Sequence, residues 1–373
     1  MEKPMKIIIA GGGFIARTHL SAIRSLGHEV TWIVGRNAVR TQAFAEENKI
    51  PDWTIDIDEA LSSDAEIVHI CTPPAEHAGI IRKCLAAGKH IICEKPLCMD
   101  PDEAAALAEE AEAAYQERGI ITALCCNVRY YPANQEIMRL IRSDSTARPL
   151  VMSGSYLQQF HIPPHDDGWR FDPEKNGGQR AISEIGTHWF DLAYAWSGIK
   201  ISSVFAELGN WYPYRYRKDG MLTLDHDGEK VKVDTEDTAA ILMRFENGGI
   251  GTLLLSETAP GHSNDLSIEV TDLRNSYKWE ELHPETIWYS EGGEMKSRQC
   301  TQDDTVSSDS DNDAIASSED VRENTFTALF RDVYAAIVGD EHGKYPDFTD
   351  GAYIAAVCSA VKKSAVKGEW VSI

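Results

Sequence analysis

The first third of the chain alternates short apolar runs with longer segments in which apolar residues recur every three to four positions. The apolar runs are typical of buried parallel strands and comprise Ile7-Ile8-Ile9-Ala10, Glu29–Val34, Glu66–Cys71, His90–Cys93 and Ile120–Cys125. The helical period covers Phe14–Leu26, Arg40–Asn48, Ala75–Ala87 and Pro101–Arg118. This alternation predicts a Rossmann-type, doubly wound parallel sheet over residues 1–126, with its ligand at the carboxyl ends of the strands.

After about Asn127 the pattern changes to strands that follow one another without helices between them. They are Leu150–Phe160, Ile201–Leu208, Thr238–Phe245, Gly249–Ser256, Leu266–Val270, Tyr277–Glu280 and Thr286–Tyr289. Asn247-Gly248 is a strong hairpin signal. The pattern predicts an α+β domain over residues 127–373 with a large open, mostly antiparallel sheet.

Two helices are predicted near the end of the chain, over Asn324–Val338 and Gly351–Val366. Thr349 or Asp350 is the candidate cap of the second helix. Both helices could pack back on the first domain.

Composition narrows the classes of function. The chain has 373 residues, 43% hydrophobic and 25% charged, which suits two domains that share a cleft. Its formal net charge of −23 argues against a nucleic-acid partner. The same charge requires that any site for an anionic cofactor be locally positive.

Targeting and metal signals are weak. Met1–Met5 is too short for a signal peptide, and no apolar run approaches the roughly 20 residues of a membrane span. The eight cysteines lack C-x-x-C spacing, so we expect reduced thiols in a cytoplasmic protein. The acidic segment Gln302–Asp320 is interpreted as a solvated or disordered loop, and no metal site is expected.

The stretch between the first strand and first helix carries a Gly11-x-Gly13-x-x-Ala16 fingerprint. Gly11 permits a tight turn, and Gly13 lets a pyrophosphate approach the backbone. Ala16 is small enough for the helix to pack on the strand, and the helix start then faces the anion. A glycine-rich turn alone is weak evidence, but its strand-before, helix-after context predicts a dinucleotide site.

The end of the second strand bears on which dinucleotide binds. Folds that select NAD place an acid here for the ribose 2′-hydroxyl. This chain has Gly35 and then Arg36, with Arg40 nearby. An arginine suits a 2′-phosphate, so the sequence favours NADP over NAD. The alternative is that Arg36 stacks on adenine or faces solvent while NAD binds.

Lys95 follows a buried strand and precedes Pro96, which holds it extended. At this edge of a parallel sheet a lysine points into the ligand crevice. The competing interpretation is an ordinary surface lysine paired with Glu94.

Residues 181–197 form a second candidate site. Glu184, His188 and Asp191 follow i, i+4, i+7 beside an apolar helical stripe. A histidine one turn from a carboxylate is a plausible proton-transfer pair. The alternative is a polar helix face with a satisfied histidine.

Taken together, the motifs resemble the glucose–fructose oxidoreductase / inositol dehydrogenase / rhizopine catabolism (Gfo/Idh/MocA) family almost end to end. They are GGGFIARTH (Gly11–His19), TPPAEH (Thr72–His77), CEKP (Cys93–Pro96), NVRYYP (Asn127–Pro132), EIGTHWFD (Glu184–Asp191), EDTAAILMRFENG (Glu236–Gly248) and FTDG (Phe348–Gly351). Their order and spacing are specific for the family, but not for a substrate.

The resemblance implies reversible oxidation of a sugar or cyclitol hydroxyl by a nicotinamide cofactor, in a homodimer or homotetramer assembled through the open sheet. It implies that Lys95 and His188 are catalytic, with Glu184 at a position that is commonly Asp. Asp191 is assigned to orienting His188 or a substrate hydroxyl. The implied cofactor-binding set adds these residues to Gly11, Gly13 and Arg36: Phe14, Ile15, Thr72, Pro73, His77 and Glu94.

Three further residues are candidates for the substrate cleft. Tyr130 follows Arg129 in a family motif, and Trp169-Arg170 lies in a loop rich in Pro, His and Asp. Aromatic rings and forked donors suit sugar faces and hydroxyls. The alternative is that these residues only pack the structure.

Two other functions stay open. Some relatives are glycosidases that keep NAD bound and oxidise the sugar transiently, and a non-catalytic cofactor-binding regulator is also conceivable on this scaffold. Lys95 and His188 speak against the regulator, whereas Glu184 in place of Asp leaves it open.

Overall fold

The apolar runs of the sequence form two large sheets, one in each of two units of the chain. The computed structural model describes residues 3–143, 148–166, 169–300, 318–339 and 345–373. The first unit consists of Met1–Asn127 with Arg322–Ala355, and the second of Val128–Val321 with Ala356–Ile373.

The N-terminal part of the first unit alternates strands and helices, as the sequence predicts. The strands are β1 (Lys6–Ala10), β2 (Glu29–Val34), β3 (Asp52–Thr54), β4 (Ile67–Ile70), β5 (His90–Cys93) and β6 (Thr122–Leu124). The helices are α1 (Phe14–Ser25), α2 (Ala38–Asn48), α3 (Ile57–Leu61), α4 (Pro74–Ala86) and α5 (Pro101–Arg118).

All pairs in this six-stranded sheet are parallel, and the strand order is β3-β2-β1-β4-β5-β6. Buried parallel strands read as continuous apolar runs because both faces are covered, and Ile7, Ile8 and Ile9 are fully buried. The order reverses between β1 and β4, where a doubly wound sheet opens a crevice at its carboxyl edge. This confirms the predicted fold of the N-terminal part.

The second unit contains helices and two sheets. Its described helices before residue 300 are α6 (Pro132–Ser143), α7 (Pro173–Asn176) and α8 (Thr187–Ser197), with a π-helical turn at Ile182–Gly186. Its strands are β7 (Val151–Leu157), β8 (His165–Asp166), β9 (Ile201–Gly209), β10 (Tyr214–Lys218), β11 (Met221–Thr223), β12 (Glu229–Lys232), β13 (Thr238–Phe245), β14 (Ile250–Ser256), β15 (Asp265–Thr271), β16 (Ser276–Glu280), β17 (Thr286–Glu291) and β18 (Glu294–Gln299).

Nine strands form the large sheet, in the order β18-β17-β16-β15-β7-β14-β13-β9 with a final strand, β19 (Val371–Ser372), beside β9. The pairs are antiparallel except for β7 with β14, so the sheet is mixed but mostly antiparallel, as predicted. Along β13 and β14 buried and exposed residues alternate. One face of these strands therefore packs inward while the other remains open.

A smaller sheet, in the order β12-β10-β11-β8, is absent from the sequence-based prediction. Its strands are short and rich in charged residues, as in Tyr214–Lys218 and Glu229–Lys232. They carry little apolar signal. Among the described residues, Phe171, Leu222 and Val233 form a small buried cluster, with Val231 packed against it.

The C-terminal helices are α9 (Ser318–Ile337) and α10 (Phe348–Lys367), slightly longer than predicted. The Asp347 carboxylate accepts from the backbone N–H groups of Thr349 and Asp350, so Asp347 is the cap and the two candidates for this role were wrong. Residues 302–317 of the predicted acidic loop lie outside the described residues, whereas its last three residues, 318–320, belong to α9 and not to a loop. None of the helices in the described ranges combines the length and apolarity needed to cross a membrane.

Candidate functional site

The turn after β1 requires glycine at its first position. Gly11 has φ +105°, and a Cβ atom built there would lie 2.5 Å from the Cys71 carbonyl oxygen. Cys71 follows β4, the neighbour of β1 in the sheet. Because these two strand ends approach closely, no side chain fits at Gly11, where the strand order of the sheet reverses.

The start of α1 is open to an anion. Gly13 is its N-cap and makes no side-chain capping bond, and the first turn has no acidic residue. By contrast, Asn37, Asp56 and Asp100 cap α2, α3 and α5 with their own side chains. A Cβ at Gly13 would meet no described atom within 4 Å. The first N–H groups of α1 are therefore available to a pyrophosphate, and the cofactor fits this edge.

The two residues that open α1 differ in exposure. Phe14 is 85% exposed and Ile15 is half-buried. Phe14 thus presents a large apolar side chain at the surface next to the glycine turn.

At the end of β2, Arg36 extends into solvent, 70% exposed, with Nη1 3.3 Å from Oε1 of Glu76 on α4. Gly35 has no room for a side chain, because its Cβ would lie 2.1 Å from Thr41 Oγ1. An acidic side chain at position 35 would therefore clash with Thr41. The Arg36 guanidinium already faces one carboxylate, which a 2′-phosphate would have to displace.

The loop after β4 contains Thr72 and Pro73. The Thr72 hydroxyl is buried, and none of the described residues hydrogen-bonds it, so a bound molecule could. His77 lies with one ring nitrogen 2.8 Å from the Thr72 carbonyl and the other 2.9 Å from the Pro96 carbonyl. Burial lowers the pKa of His77. His77 joins the loops after β4 and β5 and is fully buried itself.

Lys95 lies just beyond β5, half-buried, at the same edge of the sheet as the glycine turn. Its backbone N–H donates to Oε2 of Glu94 over 3.3 Å. Glu94 is 9% exposed, and its other oxygen accepts from the His19 ring at 3.0 Å. The structure thus places Gly11, Thr72 and Lys95 at the carboxyl ends of three adjacent strands.

In the second unit, the helix predicted over residues 181–197 begins with the π-helical turn Ile182–Gly186 and becomes α-helical at Thr187. The turn that contains Glu184 is therefore wider than the α-helical turn that the sequence pattern predicts. π-Helical turns of this kind are frequent at functional sites.

Glu184 is contacted by two side chains from the preceding segment. Arg170 Nε donates to Glu184 Oε2 over 3.0 Å, and His161 Nε2 lies 3.7 Å from the same oxygen. Two of the predicted site residues, Arg170 and Glu184, are thus brought together. Trp169 begins the 3₁₀ turn Trp169–Phe171, and its side chain lies outside the described residues.

His188 is 7% exposed, with its ring centroid 6.2 Å from that of Tyr156. Asp191 is 1% exposed in its side chain, and both of its oxygens accept from Arg129, at 2.8 and 2.5 Å. The bidentate geometry makes this a strong ion pair. Tyr130, next to Arg129, is 7% exposed.

A buried ionic cluster that the sequence analysis missed lies behind Glu184. Arg180 Nε is 3.2 Å from Glu257 Oε2 and Nη2 is 3.7 Å from Asp237 Oδ2. Arg215 donates to the His161 carbonyl over 2.6 Å, and both guanidinium groups lie over the Phe171 ring. The cluster comprises His161, Arg180, Arg215, Glu236, Asp237 and Glu257, all buried.

Burial is the main cause of the shifted pKa values in this ionic cluster. It lowers the pKa of His161 to about 4 and that of Arg215 to about 10. Burial, helped by the charge of Glu184, raises the pKa of Glu257 well above its ordinary value despite the contact with Arg180. The only sequence signal was charged residues within apolar stretches, such as Arg180 before Ala181-Ile182.

Two groups of side chains have the spacing of metal ligands among the described residues: His19, Glu94 and Cys125 in the first unit, and His161, Glu184 and Glu257 in the second. In each group the ligand atoms lie within 4.8 Å of one another. In the second group, Arg170 and Arg180 already contact the two carboxylates. A cation there would face two guanidinium charges, so the geometry supports ion pairing over metal binding.

Sequence models of known families match both parts of the chain. The model described as "Oxidoreductase family, NAD-binding Rossmann fold" (GFO_IDH_MocA) matches residues 5–117, and the "GFO/IDH/MocA C-terminal domain" matches residues 134–273.

Among individual proteins, the chain is 30% identical over 287 residues to levoglucosan dehydrogenase of Pseudarthrobacter phenanthrenivorans, covering 71% of each chain. It is also 30% identical over 183 residues to 1,5-anhydro-D-fructose reductase of Ensifer adhaerens, covering 48% of this chain and 53% of the reductase. A solved levoglucosan dehydrogenase in complex with NADH superposes with a TM-score of 0.86 at 25% identity, covering 100% of this chain and 99% of that one.

Proposed function

The chain belongs to the Gfo/Idh/MocA family of oxidoreductases, and from this premise we propose that it oxidises a CH–OH group of a sugar, sugar derivative or cyclitol with a nicotinamide cofactor. One observation carries the proposal: the open, uncapped start of α1 and Lys95 lie at the same carboxyl edge of one parallel sheet. The first suits a dinucleotide, and the second suits the oxygen of an alcohol.

In the proposed reaction, the alcohol loses a hydride from carbon and a proton from oxygen. The nicotinamide, when bound, supplies the carbon that accepts the hydride. His188 accepts the proton, and Lys95 donates a hydrogen bond to the same oxygen as negative charge develops on it. Lys95 is half-buried and His188 is buried, so both are shielded from water, as suits side chains that take part in a reaction.

Glu184 and Asp191 have different proposed roles. The Arg170 contact holds the Glu184 carboxylate, so Glu184 is proposed to bind a substrate hydroxyl or to orient His188. Asp191, with both oxygens on Arg129, is proposed to orient α8 beside the Tyr130 segment. Tyr130, Trp169 and Arg170 remain proposed substrate-cleft residues.

The mechanism is tested by Lys95→Ala and His188→Ala. Each variant should lose roughly 100-fold or more in kcat while NADH affinity changes little, because the groups act on the transition state. Lys83→Ala and His226→Ala are matched controls on exposed side chains. Near-normal turnover in both test variants would refute the assignment.

For the cofactor, the family establishes an NAD-binding Rossmann fold, and we propose that Arg36 shifts the preference toward NADP. Its exposed guanidinium can bind a 2′-phosphate, and Glu76 opposes this by repelling the phosphate. Arg36→Ala should weaken NADP far more than NAD, whereas Glu76→Gln should strengthen NADP. Equal changes for the two cofactors would remove Arg36 as the phosphate-binding residue.

Candidate substrates follow from the relatives, which are named for levoglucosan and 1,5-anhydro-D-fructose. We propose a panel of anhydrosugars, aldoses and cyclitols, assayed with both cofactors at 340 nm. A net absorbance change with a free sugar supports the dehydrogenase. Release of an aglycone without net reduction of cofactor would instead support the redox glycosidase.

We also propose a homodimer or homotetramer through the open face of the large sheet. On β13 and β14 this face exposes Leu242, Ile250 and Leu254 by 45–59%. Adjacent exposed apolar side chains are typical of association surfaces. Leu242→Lys with Leu254→Glu should reduce the mass measured by light scattering, and an unchanged mass would move the interface elsewhere.

A cytoplasmic location is proposed from the cysteines. None of the eight forms a disulfide and all are buried, and burial raises the pKa of Cys84 and of Cys98 to about 12. Such unreactive thiols suit a reducing compartment. Cell fractionation tests this.

A further inference from the structure

Four buried polar side chains in the first unit form a continuous hydrogen-bonded chain that ends at the residue before Lys95. Tyr334 Oη lies 2.8 Å from His69 Nε2, His69 Nδ1 lies 2.9 Å from His19 Nδ1, and His19 Nε2 lies 3.0 Å from Glu94 Oε1. The four residues come from α9, β4, α1 and the end of β5. We call them the Tyr–His–His–Glu chain.

Every proton in this chain has a determined place when both imidazoles are neutral. An ionised Glu94 only accepts, so His19 Nε2 must carry a hydrogen. The Nδ1 of a neutral His19 is then an acceptor, which requires a hydrogen on Nδ1 of His69. The Nε2 of His69 is left as an acceptor, and the Tyr334 hydroxyl donates to it. All three bonds therefore run in one direction, toward Glu94.

The surroundings favour this neutral arrangement. His19 and His69 are fully buried, and Tyr334 is 3% exposed. Burial lowers the pKa of His69, and burial raises the pKa of Tyr334. The Phe330 ring packs against both imidazoles, with centroid distances of 4.8 and 4.7 Å.

The same side chains could be considered as a metal site with Cys125, whose Sγ lies 3.7 Å from His19 Nε2. A metal there would need that nitrogen without its hydrogen and the thiol ionised. Burial and the nearby Glu94 raise the pKa of Cys125. The short His19–Glu94 contact and the continuous set of hydrogen bonds therefore favour a proton-ordered chain.

We propose that Tyr334, His69 and His19 are positioning residues that hold the Glu94 carboxylate, and through it Lys95, in the orientation needed at the cofactor edge. One oxygen of Glu94 accepts from His19 while the other accepts from the Lys95 backbone. The chain thus connects α9 near the end of the sequence to the residues that follow β5. The inference rests on the proposed role of Lys95 and Glu94.

Nuclear magnetic resonance of protein labelled with ¹⁵N-histidine tests the proton order directly. The wild-type chain should show His69 with its hydrogen on Nδ1 and His19 with its hydrogen on Nε2, assigned from single histidine variants. A packing role alone would not fix these tautomers. His69 with its hydrogen on Nε2 would overturn the proposal, as would stoichiometric zinc in the purified protein that disappears in His19→Asn.

The connection to the cofactor edge is tested by Tyr334→Phe, which removes only the hydroxyl. The Nε2 of His69 should then lose its donor, so its ¹⁵N chemical shift should change while the hydrogen on Nδ1 stays in place. Because Glu94 is itself a proposed cofactor-binding residue, the dissociation constant of NADH, measured by fluorescence, should rise three- to tenfold. Tyr115→Phe on the outer helix α5 is the matched control and should change neither. If wild-type protein binds no NADH, the proposed function fails. If it binds NADH and Tyr334→Phe changes neither the affinity nor the ¹⁵N chemical shift of His69 Nε2, the proposed chain fails.

Discussion

Each of the two units contains a buried cluster of polar side chains, and the two clusters pair their polar groups in different ways. The Tyr–His–His–Glu chain joins its four members by three hydrogen bonds of 2.8–3.0 Å. The ionic cluster behind Glu184 brings several charged groups together, with N–O separations of 3.2–3.9 Å between ion-pair partners.

The orphaned atoms sharpen this contrast. In the ionic cluster, atoms of His161, Arg180, Arg215 and Glu257 are buried without a hydrogen-bond partner among the described residues. In the Tyr–His–His–Glu chain, by contrast, each imidazole nitrogen and the Tyr334 hydroxyl has a hydrogen-bond partner. The stability of the Tyr–His–His–Glu chain therefore depends on the direction of its hydrogen bonds, and that of the ionic cluster depends on the balance of its charges.

The largest expected effect is that of Arg180→Met in the ionic cluster. It would leave the buried Asp237 carboxylate without its guanidinium partner and would remove the Nε contact to Glu257. Breaking a buried ion pair costs about 3–5 kcal/mol. The free energy of unfolding in urea measures this. Arg82→Met, whose pairs with Glu103 and Glu110 are exposed, should cost no more than about 1 kcal/mol. Equal losses of unfolding free energy in Arg180→Met and Arg82→Met would contradict the expected difference between buried and surface ion pairs.

The second effect is the acid sensitivity of His161. Its pKa is about 4 in the folded protein, below the value of about 6.5 expected when it is unfolded. The unfolded chain therefore binds the proton first as pH falls, so stability is full above pH 6.5 and declines toward pH 4 by about 3 kcal/mol. His161→Gln should flatten this part of the curve. The exposed-histidine variant His226→Gln should retain the wild-type slope.

The third effect concerns Glu257 and has the opposite sign. Because its pKa is raised on folding, the folded chain holds the proton more tightly, and stability falls as pH rises above the unfolded pKa. The fall is at most about 1.4 kcal/mol per pH unit for one group. Glu257→Gln keeps the shape and removes the titration, so it should be increasingly stabilised relative to wild type between pH 5 and pH 8. A constant difference across that range would show that Glu257 is ionised when folded.

The smallest effect is expected in the first unit. Tyr334→Phe removes one donor to His69 and should cost about 1 kcal/mol of unfolding free energy, typical of one buried hydrogen bond between uncharged groups. A loss as large as that of Arg180→Met would mean that the Tyr–His–His–Glu chain carries more charge than its hydrogen bonds indicate. Unfolding of both variants in the same buffer gives the direct comparison.

Sequence patterns were most informative where burial is uniform. Five of the six strands of the parallel sheet were predicted within about two residues at each end, because strands covered on both faces are continuous apolar runs. The sixth, the three-residue edge strand β3, was missed. The four-stranded sheet was missed because its strands are polar and half-exposed. The π-helical turn at Ile182–Gly186 was also missed, since an apolar stripe at α-helical spacing does not reveal one additional residue in a turn.

The candidate sites follow the same division. The glycine turn and Lys95 were recognisable because strand ends and local spacing define them. The partners of Glu184, Asp191 and Glu94 were not, because Arg170, Arg129 and His19 are 14, 62 and 75 positions away. His69 offered one overlooked signal: a histidine inside the four-residue buried strand Ile67–Ile70 needs hydrogen-bond partners.

The sequence by itself determined the order of strands and helices, the glycine-lined start of α1 and the residues able to perform acid–base chemistry. These depend on backbone preferences and on hydrophobic periods that act over a few residues. Only the tertiary structure decided which of those residues are neutral, which are paired and which hold another in place. Such properties arise from burial and from contacts between distant segments, as in the 265 positions that separate Tyr334 from His69.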